Sequence, residues 1–190
     1  IYCDIRLDTL NIDETKIEVL VTERTKAIIP IHYAGIPAEM DKINEVAKKY
    51  NIPVIEDAAQ AVNSKYNGKY AGNLCELGIY SFHATKSYSS GEGGALTMNN
   101  DKYFDRAEFL WEKGTDRSLV VQGLKNKYSW VDYGSSFLPS DILSALLYAQ
   151  FQNLDKMQTI RKKLHDAYIS TFEPYKNSGL KMLFVPKNIE

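Results

Sequence analysis

Two short stretches hold the residues best suited to chemistry. In VIEDAAQ, residues 54–60, an apolar run ends on Asp57 with Gln60 three positions later. In SFHATKSYSSGEGG, residues 81–94, Lys86 follows Ser81 and His83 and precedes Gly91, Gly93 and Gly94. An apolar strand that ends on an aspartate delivers a carboxylate to a half-buried place, where it needs a cation or several donors. A lysine in a hydroxyl-rich loop can act as a nucleophile and as a proton carrier. Each feature also has a plainer reading. Taken alone, Asp57 reads better as the N-cap of a helix DAAQAV, Lys86 as a solvated charge, and the glycines equally well as a tight turn. Taken together they match one chemistry, because pyridoxal phosphate needs a lysine for its Schiff base, a carboxylate that keeps the pyridine nitrogen protonated, and donors for its phosphate.

These residues require a frame of alternating strands and helices. KAIIPIHYAG (26–35) reads as a short apolar strand closed by Gly35, and residues 37–51 place Met40, Ile43, Val46 and Ala47 at helical spacing, with Pro37 as a starter and Asn51 as a stop. IPVIEDAAQ (52–60), LGIYSF (77–82) and GALTMN (94–99) read as strands, the opening IYCDIRLD as another, and residues 101–113 as a helix. Residues 114–134 show no period and read as a long loop, a kind more often functional than structural. Residues 140–175 read as one or two long helices with Ser140 as N-cap and Pro174 as a stop. This order implies an α/β fold with a central, mostly parallel sheet covered by helices, and ligands in such sheets bind at the carboxyl ends of the strands.

Composition narrows the function classes. The chain has 190 residues, 44% hydrophobic and 25% charged with a net charge of -1, which fits one ordinary globular core and gives no reason to expect a nucleic-acid partner. Cys3 and Cys75 are too few for a disulfide framework and lack metal-ligand spacing, so a cytoplasmic setting is the simplest expectation and no metal site is expected. No apolar run approaches the roughly 20 residues that a bilayer span needs, so no membrane partner is expected either.

VIEDAAQ, SFHATK and GEGGALTMNND, in that order, resemble the motifs of the DegT/DnrJ/StrS family of sugar aminotransferases, and the likeness covers nearly the whole chain. The resemblance implies the large-domain portion of the aspartate aminotransferase type fold, with helices on both faces of the sheet. It also implies pyridoxal 5'-phosphate as cofactor, an amino-acid donor such as L-glutamate, a nucleotide-linked keto sugar as acceptor, and a homodimer. It makes Lys86 the lysine that binds the cofactor and carries the proton. Asp57 becomes the partner of the pyridinium nitrogen, Gln60 a neighbour of the ring hydroxyl, and Ser81 a phosphate donor. His83 is expected to pack beside the cofactor or to be a structural histidine, and His32 is given no role.

Two departures from the family pattern stand out. Many members carry Asn and Arg in an NYR segment that reaches toward the neighbouring subunit's phosphate, and here SSFLPSD puts Ser136 and Leu138 in those places. Members are also about twice this length. The expected organisation is therefore a cofactor-binding portion over 1–139 and long helices over 140–190 leading toward a small domain, incomplete at both ends and inactive alone. A sugar dehydratase of the same fold is disfavoured, since those relatives look to have histidine where Lys86 stands. A non-catalytic binding or regulatory domain leaves the joint presence of Asp57, Gln60, Ser81 and Lys86 unexplained.

Overall fold

The computed structural model describes residues 1–190. Its strands are β1 (Ile55–Asp57), β2 (Lys65–Tyr66), β3 (Lys69–Tyr70), β4 (Leu77–Ser81) and β5 (Gly94–Met98). β1 runs parallel to β4 with Asp57 opposite Ile79, and β5 closes the order β1-β4-β5 antiparallel to β4 with Gly94 opposite Ser81. Residues 28–31 extend this sheet along the free edge of β1, through parallel bridges from Ile28 to Val54 and from Ile31 to Asp57. The sheet is thus parallel except at its β5 edge.

Side chains alternate across it as a pleated strand demands. Ile28, Pro30, Val54 and Glu56 point to the buried face, while Ile29, Ile31, Ile79 and Leu96 are exposed on the other. Helix α1 (Met40–Tyr50) covers the buried face, setting Met40, Ile43 and Ala47 against Ile28 and Val54. Each large apolar side chain buried in this way stabilises the fold by about 1.5–3 kcal/mol. α1 begins three residues after Pro37, and Asn51 ends it in the left-handed conformation at φ 53°. The expected cover of helices on both faces is present on this one; the opposite face carries the four exposed apolar residues and Asp57.

Three expectations change in detail. The opening IYCDIRLD forms no strand, only a bridge from Ile5 to Ile12, because Arg6 and Asp8 turn the chain back through their own ion pair at 2.7 Å. Residues 101–113 split into a 3₁₀ turn at Asp101–Tyr103 and helix α2 (Phe104–Trp111). The 114–134 stretch contains a short helix α3 (Arg117–Val121) held by Asp116, whose buried carboxylate accepts from Ser129 N at 2.7 Å and pairs with Lys125.

Two helices follow, α4 (Asp141–Phe151) and α5 (Leu154–Phe172). Ser140 caps α4 by accepting from Leu143 N at 3.3 Å. Pro174 marks a stop as expected: α5 ends at Phe172, two residues before it, and the chain goes on as a 3₁₀ segment, Glu173–Ser178, whose first turn tolerates the proline's fixed φ. The last residues double back onto β2, where Lys65 and Glu190 exchange backbone hydrogen bonds at 2.8 and 3.0 Å.

Candidate active site

Asp57 ends β1 with its side chain on the open face, and both polar atoms of its backbone are held by the 30–32 segment. Its N–H donates to Pro30 O at 2.9 Å and its carbonyl accepts from His32 N at 3.0 Å. One carboxylate oxygen, Oδ1, accepts from Ala59 N at 3.0 Å. No helix follows, so the N-cap reading of Asp57 is replaced by a tight Asx-type turn, which leaves Oδ2 without a protein partner. Gln60 follows that turn. Its Oε1 accepts from Ala34 N at 2.8 Å, which fixes the amide plane and leaves Nε2 as a free donor.

Ser81 lies two residues beyond Ile79 on β4, so the strand period puts it on the same face as Asp57. Its Oγ accepts from His83 N at 3.4 Å and keeps its own proton to give. The chain then bends through Lys86, whose N–H donates to His83 O at 2.9 Å. The Lys86 amine makes no hydrogen bond and no ion pair. Gly91 at φ 86° and Gly93 at φ 145° return the chain to β5, a path that costs an L side chain strain. A Cβ on Gly94 would stand 2.8 Å from Tyr80 O, so the β4–β5 approach needs glycine there.

His83 is exposed. Its Nδ1 accepts from Thr85 N at 3.2 Å, which leaves its proton on Nε2, 3.6 Å from Glu92. Ser136 stands apart from the group, exposed and bridged to Glu112 beyond the end of α2. The structure therefore gathers Asp57, Gln60, Ser81 and Lys86 at one end of the sheet and leaves Ser136 elsewhere on the chain.

Behind this cluster lies a residue pair that motif reading passed over. Glu56 is fully buried on the face opposite Asp57, and accepts from Gly72 N and Leu74 N at 2.6 Å, from Cys75 N at 2.9 Å and from His32 Nε2 at 3.0 Å. His32 is equally buried, and its Nδ1 accepts from Ala38 N at 3.1 Å, so the proton sits on Nε2 and is donated to Glu56. Burial pushes the Glu56 carboxyl up, yet the donors from His32, Cys75, Gly72 and Leu74 outweigh it and hold the group below the usual range. The same burial, with Glu56 beside it, pushes the Cys75 thiol up to about 12 and makes it inert. The signal was available in the period-2 rule: if Asp57 faces the site, Glu56 must face the core and needs partners there.

The donor set fits pyridoxal phosphate. It offers an unpartnered lysine, a carboxylate oxygen with no other claim on it, a fixed amide donor and a hydroxyl donor beside a glycine turn. A sequence profile described as the DegT/DnrJ/EryC1/StrS aminotransferase family matches residues 1–184. The chain is 36% identical over 156 residues to the GDP-perosamine synthase of Caulobacter vibrioides, covering 82% of this chain and 40% of that protein. It superposes on an aminotransferase from Psychrobacter cryohalolentis with a TM-score of 0.88 at 27% identity, over 98% of this chain and 48% of that one. DesI, solved in the presence of its TDP-sugar product, superposes with a TM-score of 0.71 at 28% identity, over 82% and 38% of the two chains. The chain spans about half the length of the curated relatives it matches, 46%, 44% and 45% for three of them. No helix is long and apolar enough to cross a membrane.

Proposed function

The chain belongs to the DegT/DnrJ/EryC1/StrS aminotransferase family, and we propose that the whole protein is a pyridoxal-phosphate-dependent transaminase that moves the amino group of L-glutamate onto a nucleotide-linked 4-keto-6-deoxy sugar. The observation that carries this reading is the unpartnered amine of Lys86, on the loop leaving β4, with Asp57 and Ser81 on one face of the adjoining strands. Bound pyridoxal phosphate supplies the electron sink for the pair left when the amino acid's α-proton departs. Lys86 would hold the cofactor through its amine until the donor's amino group displaces it, and the freed amine would then carry the α-proton. Asp57 would keep the ring nitrogen protonated, the free Nε2 of Gln60 would be available to the ring hydroxyl, and the Ser81 hydroxyl would be available to the phosphate.

The finer reading concerns the sugar. IRLDTLNIDETKIE, PIHYAGIPAEMD, EKGTDRS and DYGSSFLPSD resemble dTDP-4-amino-4,6-dideoxygalactose transaminase, an enzyme of bacterial surface-polysaccharide synthesis such as that of lipopolysaccharide and enterobacterial common antigen. The TDP-sugar product of DesI supports a thymidine nucleotide, and the GDP sugar in the name of the Caulobacter relative is the competing choice. A cytoplasmic homodimer belongs to the same proposal, with Ser136 serving the neighbouring subunit's phosphate site and residues 1–139 forming the cofactor-binding portion ahead of the 140–190 helices. The whole protein, given L-glutamate and either a dTDP- or a GDP-linked 4-keto-6-deoxy sugar, is expected to aminate the dTDP substrate faster. Lys86→Ala is expected to reduce both reactions to background, and turnover retained by that variant would contradict the assignment.

A further inference from the structure

Lys86 stands on a bend, and a bend by itself does not hold a nucleophile to the tolerance that catalysis needs. The residues after it are seized one by one from α4 and α5. Arg161 donates through Nη2 to Ser87 O at 2.5 Å and lays its guanidinium 4.8 Å from the centroid of the Tyr88 ring. Tyr88, 1% exposed, donates its hydroxyl to Gln158 Oε1 at 3.2 Å. Gln150 takes both polar atoms of the Ser89 backbone, accepting from N at 3.1 Å and donating to O at 2.5 Å.

The spacing shows that this is the face by which these helices dock. The less exposed positions are 143, 147 and 150 on α4 and 154, 158, 161 and 169 on α5, at helical spacing within each helix. Four of these seven are leucine or isoleucine, and the three polar ones, Gln150, Gln158 and Arg161, all reach residues 87–89. Polar groups that match individual backbone atoms fix a position, whereas apolar contact alone lets it slide.

We propose that Arg161 and Gln150, with Gln158 behind Tyr88, are positioning residues that hold the backbone following Lys86 and so aim its amine at the cofactor. The proposal rests on the reading of Lys86 given above. It predicts an effect on bond formation at Lys86 and on turnover, with sugar binding untouched, because the three bond to residues 87–89 and not to Asp57, Gln60 or Ser81.

The test uses the whole protein stripped of cofactor. Arg161→Met keeps the length and loses the donor, Gln150→Glu keeps an acceptor for Ser89 N but turns a second acceptor toward Ser89 O, and Arg161→Lys restores one donor and the charge. On adding pyridoxal phosphate, Arg161→Met and Gln150→Glu should form the lysine–cofactor absorption band about tenfold more slowly, as expected for a slightly misplaced nucleophile. The pH midpoint of the band should shift, KM for the sugar should hold while kcat falls, and Arg161→Lys should recover most of the rate. Band formation at the parent's rate and midpoint in both variants would overturn the proposal, as would losses that only track melting temperature with Arg161→Lys no better than Arg161→Met. Lys86→Ala run alongside separates the two claims. If the band vanishes there while the other variants match the parent, only the positioning role fails, and if it persists, the role of Lys86 fails with it.

Discussion

At the residue scale, adjacent side chains on one short strand divide the work. Asp57 faces the open side with Oδ2 free, and Glu56 faces the core with its carboxylate filled by donors. Asp57→Asn keeps the shape and the turn contact to Ala59 but loses the charge that, in the proposed function, holds the ring nitrogen protonated. In the whole protein it should lower kcat by at least tenfold with little change in KM for the sugar, a split that steady-state kinetics reads directly. Glu56→Gln should instead act on stability, since it turns an amide donor toward backbone N–H groups and removes a buried charge from its partners, at a cost of about 3–5 kcal/mol near neutral pH. The pH dependence follows from the lowered Glu56 pKa. Because the folded value lies below the ordinary 4.5, its stabilisation is fully present above 4.5 and is lost as pH falls through the folded value. Denaturant melts across that acid range should therefore fall more steeply for the parent than for Glu56→Gln. A parallel fall in both would mean that other carboxylates govern the acid transition.

At the element scale, the sheet approaches neighbouring backbone so closely that glycine is required at particular points. A Cβ on Gly78 would overlap the backbone of Gly72, in the segment that donates to Glu56. Gly78→Ala is accordingly expected to lower stability by about 1–3 kcal/mol, measured by thermal or denaturant melting, and parental stability would show that the segment can yield. The elements that the sequence made legible are those with a strong period: α1 from Met40, Ile43 and Ala47, the three strands of the site, and the Ser140 cap of α4. What it hid has a common cause. The turn at Asp57, the bend at Arg6 and Asp8 and the α3 loop around Asp116 are all set by side chains bonding to nearby groups, and such local bonds leave no period to read. The clamp on residues 87–89 was hidden for a related reason, because Gln150 and Arg161 lie more than sixty residues from what they hold.

At the scale of the whole molecule, the chain keeps much apolar surface in the open. Trp130 is 75% exposed, Tyr133 91% and Phe137 64%, so these aromatics do not fold back onto the core of this chain. Exposed aromatics of this density suit an interface with a second subunit. The whole protein should sediment as a dimer, and a double change of Trp130 and Phe137 to Ser should release monomer and lose cofactor together. A monomer that keeps full cofactor occupancy would remove the neighbouring subunit from the site. The claim on which the rest depends is that Lys86 is the residue that takes pyridoxal phosphate. It is tested most directly by incubating the whole protein with the cofactor, reducing with borohydride and mapping the modified peptide by mass spectrometry. The account predicts one phosphopyridoxyl group per chain, on Lys86, and absent from Lys86→Ala. A group found on another lysine, or an unmodified Lys86 in protein that has bound the cofactor, would contradict it.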